Sequence, residues 1–119
     1  MPSTTTFERG QVVVVQVGFT GRTGAKPRPA VVVSTAAFHR RLPDLIVCPI
    51  SSRPNYYDAP GPGDYPLSQW QEIGLKYPST ARVSNLVAVD KSLVKRVLAT
   101  MPAEDFQRVE AGLRSALGL

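Results

Sequence analysis

One cysteine and one histidine stand in the 119 residues, and that scarcity removes several chemistries at once. Cys48 has no partner for an internal disulfide, and it lies in the apolar run Leu45 to Ile50, where a buried, inert thiol is expected. A structural zinc site needs about four nitrogen or sulfur ligands, which Cys48 and His39 cannot supply within one chain. A two-histidine acid–base mechanism within one subunit is equally excluded. His39, in Phe38-His39-Arg40-Arg41, reads as part of a solvated turn, with phosphate contact as the alternative. Acidic residues are scattered, nine against fourteen Lys and Arg, and no set of them converges to hold two metal ions as in many nucleases. No metal and no cofactor are expected. No segment approaches the roughly 20 apolar residues of a membrane span, and Met1 to Thr6 has neither the basic start nor the apolar stretch of a signal peptide. A cytoplasmic protein without membrane contact is therefore expected.

What is present is an ordinary globular composition, 43% hydrophobic and 19% charged, on a chain whose length fits one domain around one core. The net charge is +5 and the isoelectric point about 9.8, which favours an anionic partner without naming it. The distribution is more informative. Arg9, Arg22, Lys26, Arg28, Arg40 and Arg41 fall between Arg9 and Pro43, a stretch without Asp or Glu. Nucleic acid or an acidic protein is the implied partner, and an evenly solvated basic surface is the structural alternative.

Gln11 to Val17 is β-branched and predicts a buried strand, opening into the glycine-rich Gly18-Phe19-Thr20-Gly21-Arg22-Thr23-Gly24. Pro29 to Thr35 predicts a second strand and Leu45 to Ser52 a third, with Pro49 suggesting an edge or bulge. Arg53 to Pro66 carries four prolines and two glycines and predicts a mobile connection of a kind that is often functional. A short strand is expected near Leu67 to Gln71, one or two between Thr80 and Asp90, and a last one at Leu93 to Leu98. Pro102 to Leu117 predicts the one convincing helix: Pro102 suits its first turn, Glu104 and Asp105 complement its positive end, and Gly118 can end it. Its stripe Phe106, Val109, Leu113 and Leu117 is expected in the core or a dimer contact. The fold class is mainly β with a C-terminal helix, either an SH3-like barrel or a strongly bent antiparallel sheet.

Phe7-Glu8-Arg9-Gly10-Gln11-Val12-Val13, Lys26-Pro27-Arg28-Pro29-Ala30-Val31-Val32-Val33 and Ile46-Val47-Cys48-Pro49-Ile50-Ser51-Ser52 together resemble the MazF/PemK toxins in order and spacing. Gly74-Leu75-Lys76-Tyr77-Pro78-Ser79, Ala81-Arg82-Val83 and Val89-Asp90-Lys91 are similar to that family's second half, so the resemblance runs from about Phe7 to Leu117. It implies a homodimeric toxin of a toxin–antitoxin system that cleaves single-stranded RNA at short motifs, leaving a 2′,3′-cyclic phosphate and a 5′ hydroxyl. By resemblance Arg28 matches the catalytic arginine, Ser51 the position usually held by a catalytic threonine, and Arg82 a further basic residue at the scissile phosphate. Ser84 stands where some members have an aspartate thought to act as base, so the group that moves the proton is open. Gln11 replaces a common aspartate, a change expected to be structural.

The chemistry has its own logic. With paired histidines and clustered carboxylates missing, charge stabilisation remains. Arg28 opens a strand after a glycine-rich loop, where a phosphate can meet both a guanidinium fork and backbone N–H groups. Arg28 is read as an electrostatic clamp and Ser51 as the partner that positions the 2′-OH or a phosphate oxygen. Thr20, Arg22, Lys26, Ser52, Arg53, Tyr56 and Ser84 are the expected RNA contacts, the tyrosine by stacking on unpaired bases. Structural alternatives stand beside these: Arg28 pairing a carboxylate, Ser51 ending a strand, Arg82 holding the fold, and Tyr56, Tyr57 and Tyr65 pinning the loop. An acidic, disordered antitoxin segment over the basic groove is the expected protein partner. Two other functions compete: a CcdB-like toxin binding DNA gyrase, which relies on an aromatic near the C-terminus where this chain has Ser115-Ala116-Leu117-Gly118-Leu119, and an inactive RNA-binding module.

Overall fold

The structure, a computed structural model, describes residues 6–16 and 26–119. In chain order it comprises β1 (Gln11–Gln16), β2 (Pro27–Val32), α1 (Ala36–Arg41), β3 (Asp44–Ser51), α2 (Pro54–Asp58), β4 (Asp64–Pro66), α3 (Trp70–Ile73), β5 (Thr80–Arg82), β6 (Val87–Asp90), β7 (Val94–Thr100) and α4 (Ala103–Leu117). The strands form one seven-stranded antiparallel sheet in the order β4-β5-β3-β2-β1-β7, with β6 also paired to β3. Of the two architectures open from sequence, the bent antiparallel sheet is the one observed, and it does not close.

The apolar character of β1 to β3 has a direct cause, because both faces of this part of the sheet are covered. Val12, Val31, Cys48 and Ile50 pack on one side with Val109 and Leu113 of α4. Val13, Val15, Ala30, Val32, Leu45 and Val47 pack on the other with Phe7 and Val89. Strands buried on both faces read as continuous apolar runs, with no alternation. Pro49 is not at an outer edge. It lies in β3 where the neighbour on one side changes, β6 pairing Asp44 to Val47 and β5 pairing Ile50 and Ser51, so a missing donor is tolerated there.

Several short elements differ from expectation. His39 is not in a solvated turn: it sits in α1, 2% exposed, with Nε2 2.8 Å from the Ser34 carbonyl oxygen and its own carbonyl accepting from Lys91 Nζ. Thr35 caps that helix by accepting from Phe38 N. The proline-rich segment Arg53 to Pro66 holds α2 and β4, and the strand expected near Leu67 to Gln71 is displaced to Asp64–Pro66, with α3 following. Leu117 leaves the helical stripe, being 56% exposed while Val109 is buried. Arg9, before β1, donates from Nε to the Val33 carbonyl oxygen, pairs with Glu110 of α4 and lies over the Phe106 ring, which fastens α4 to the sheet. Among the described residues no helix is long and apolar enough to cross a membrane.

The seat of α4 on β4 depends on Gly112. A Cβ there would lie 2.3 Å from Cε2 of the Tyr65 ring, so the bare helix backbone is what lets β4 approach. Gly112→Ala should therefore destabilise the fold by about 1–3 kcal/mol through overpacking, although alanine raises helix propensity by about 1 kcal/mol. Urea unfolding checks this, and a more stable variant would contradict it.

Candidate functional site

The strand register gathers the candidate residues. The β2–β3 ladder ends at Ala30 opposite Pro49, and continuing it two positions sets Arg28 against Ser51. Ser51 is paired with Thr80 of β5, and Arg82, two residues further along, is paired with Asp64 of β4. Opposed residues of an antiparallel ladder share a face, as do residues two apart on one strand. Arg28, Ser51, Thr80, Arg82 and Asp64 therefore stand on one side of the sheet, the side on which Ala30 and Val32 join the second core.

Arg28 is exposed; its backbone is paired with Val15 of β1, but its side chain makes no hydrogen bond or ion pair with another described residue, so the carboxylate partner considered for it is not found there. Lys26, just ahead of β2, is exposed as well. Thr20 and Arg22 lie outside the described residues. Ser51 is half-buried, and its Oγ accepts from Arg53 N at 3.2 Å. The hydroxyl proton is left to donate elsewhere. Ser52 and Arg53 follow on the exposed rim. Opposite Ser51, Thr80 is fully buried, and its Oγ1 has no hydrogen-bond partner.

Arg82 is the most tightly held of the candidates. Its Nε donates to Asp64 Oδ1 at 2.8 Å, and its Cζ lies 3.7 Å from the centroid of the Tyr56 ring, close enough for a cation–π contact. The tyrosine thus meets a guanidinium through one face, from α2. Ser84 is exposed in the 3₁₀ turn Val83–Asn85, beside Gly63, whose φ of +82° closes the turn ahead of β4. Tyr65 does not reach into this group; it packs with the first core.

Cys48 takes no part in nucleophilic chemistry here. Burial pushes its thiol up to about 12, a hydrogen bond from the Arg82 backbone opposing this only weakly, and the thiol is not the nucleophilic form. Among the described residues no three His, Cys, Asp or Glu side chains are grouped to hold a metal ion. What the arrangement offers is cationic hydrogen-bond donors and a hydroxyl on one face, suited to an anionic group with charge to be stabilised.

Sequence reasoning missed Asp64. It stands in Gly61-Pro62-Gly63-Asp64, where nothing in spacing ties it to Arg82, and only the pairing of β4 with β5 brings the two together.

Comparison with known proteins agrees with this architecture. The model of the PemK-like, MazF-like toxins of type II toxin–antitoxin systems matches residues 8–117, and the chain belongs to that family. A MazE–MazF complex from Deinococcus radiodurans is similar at a TM-score of 0.76 and 26% identity, over 97% of this chain and 99% of the other. MazF alone from the same organism is similar at a TM-score of 0.71 and 26% identity, with 97% and 99% covered. An endoribonuclease in complex with its cognate antitoxin, from a mycobacterial species, shares the fold at a TM-score of 0.72 and 18% identity, with 94% and 95% covered. Comparison with curated proteins gives no match.

Proposed function

We propose that this toxin is a metal-independent endoribonuclease that cleaves single-stranded RNA at a short motif, leaving a 2′,3′-cyclic phosphate and a 5′ hydroxyl. The observation that carries this reading is Arg28: exposed, unpaired among the described residues, and at the register position opposite Ser51, with Arg82 on the same face. Attack of the ribose 2′-OH on the adjacent phosphorus concentrates negative charge on the phosphoryl oxygens, and a guanidinium already aimed at them stabilises that charge without rearrangement. Arg28 is the clamp, Ser51 positions the 2′-OH or a phosphate oxygen through its free proton, and Arg82 is the second cation. Lys26, Ser52, Arg53, Tyr56 and Ser84 are the proposed RNA contacts on this face, together with Thr20 and Arg22, which lie outside the described residues. The whole chain, 1–119, acts as one toxin domain, as a homodimer in the cytoplasm. An acidic antitoxin silences it by laying carboxylates along the same cationic face; the antitoxin-bound structures of similar proteins support that partner.

Purified protein is expected to cut single-stranded RNA in the presence of EDTA, and mapping the new 5′ hydroxyl ends gives the motif. Cutting that depends on an added metal ion would overturn the mechanism, and salt-sensitive binding without product would reduce the protein to an RNA-binding module.

A further inference from the structure

Asp64 has a place in this face that its sequence position does not announce. Its carboxylate is only 5% exposed and both oxygens are engaged: Oδ1 accepts from Arg82 Nε at 2.8 Å and Oδ2 from Gly61 N at 3.0 Å. The backbone around it is pinned too, with Asp64 N donating to the Gly61 carbonyl oxygen at 3.1 Å and Val83 N donating to the Gly63 carbonyl oxygen at 2.8 Å. The carboxylate is thus fixed before Arg82 reaches it. The Tyr56 ring lies against the guanidinium, 3.7 Å from Cζ to its centroid.

A guanidinium has five N–H donors in a rigid fork. Here the Nε–H is taken by Asp64, and the ring sets the tilt of the plane. Nη1 and Nη2 have no hydrogen-bond partner among the described residues, although the side chain is 21% exposed. An arginine used only to stabilise the fold would be expected to turn its paired donors toward the carboxylate; this one spends its single inner donor there and keeps the outer pair for something else. A planar pair of N–H donors suits the oxygens of a phosphate.

We propose that Asp64 is a positioning residue for RNA cleavage: with the Tyr56 ring it holds Arg82 so that Nη1 and Nη2 meet the phosphate gripped by Arg28 and Ser51. This rests on the ribonuclease reading above. Asp64 acts only through Arg82. The guanidinium paired with it at 2.8 Å offsets its negative charge toward the RNA, and the pre-set fork spares the arginine the loss of rotamer freedom on binding.

A double-mutant cycle on cleavage of a single-stranded RNA tests the coupling. Asp64→Ala is expected to lower kcat by about tenfold with KM little changed, and Arg82→Ala by about a hundredfold. In the Arg82→Ala background, Asp64→Ala should cost less than about twofold more, because its one route of action is already gone. Asp64→Asn keeps one acceptor for the Arg82 Nε proton but sets its NH2 against the Gly61 N–H, so it should recover part of the loss. Where Asp64→Ala fails to fold, Asp64→Asn takes its place in the cycle. Equal losses in both backgrounds, or an unchanged kcat in Asp64→Ala, would overturn the proposal. A wild-type protein that cuts no RNA would instead overturn the ribonuclease reading on which it stands.

Discussion

Arg28→Ala is expected to lower kcat/KM for cleavage of single-stranded RNA by roughly 10²–10³-fold, the effect of losing one well-aimed donor to developing oxyanion charge. The same change should leave the fold intact. The Arg28 side chain is exposed and contributes no hydrogen bond or ion pair among the described residues, and substitutions at such surface positions usually stay within about 0.5 kcal/mol. A large loss of rate with an unmoved thermal midpoint is therefore the signature of a residue kept for its ligand. Arg28→Lys separates charge from geometry: it retains the cation but not the bidentate fork, so its activity should fall between the other two. Cleavage at the wild-type rate by Arg28→Ala would remove the central residue from the mechanism.

The resemblance to the MazF/PemK toxins points to Arg28 and not to Asp64, and the range of the interactions that place the two explains why the local sequence supports the first and is silent on the second. Arg28 opens a strand whose apolar core residues are consecutive, so the local pattern locates both the strand and the polar residue at its mouth. The same holds for β1, β3 and α4, whose boundaries fall within a few residues of those read from periodicity and caps. The short elements carry no such signal. α2 and β4 sit in a stretch of prolines and glycines whose composition argues for irregular chain, and they are defined by partners far along the sequence: β4 by β5, and Tyr56 by Arg82. His39 departs from expectation for a similar reason. A lone histidine among arginines looks solvated, yet Ser34 and Lys91 enclose it once α1 folds against β3. In the α4 stripe the helical period is correct through Leu113, but the sheet ends before Leu117, which is left on the rim of a cavity of about 410 Å³ that Val33, Ile46, Leu86 and Leu113 also line.

The largest stability effect is expected at Asp105, in the first turn of α4, and it bears on the site through β4. The Asp105 side chain is fully buried. It accepts from Ser68 N at 2.9 Å, Ser68 Oγ at 2.8 Å and Gln69 N at 3.0 Å, and from Arg108 Nη2 at 2.6 Å. That same Arg108 nitrogen donates to the Pro66 carbonyl oxygen at 2.7 Å, so one clip ties the helix to the end of the strand that carries Asp64. Burial acts to raise the Asp105 pKa, but the hydrogen bonds from Ser68 N, Gln69 N, Arg108 and the Ser68 hydroxyl outweigh it and hold the carboxyl below its ordinary value. Asp105→Ala removes the acceptor of the Ser68 and Gln69 backbone donors and of Arg108, from a fully buried position, and should cost about 3 kcal/mol, roughly a 10 °C fall in Tm. Because the folded-state pKa is lowered, the contribution is complete above the unfolded value of about 3.9 and is lost as pH falls through the folded value. Asp105→Asn, which resembles the protonated carboxyl, should therefore be clearly less stable than wild type at neutral pH, and the gap should narrow in acid. Urea unfolding of the two proteins across that range measures it. A gap that stayed constant would mean that the carboxylate's charge plays no part in holding α4 to β4, and that the clip works by shape alone.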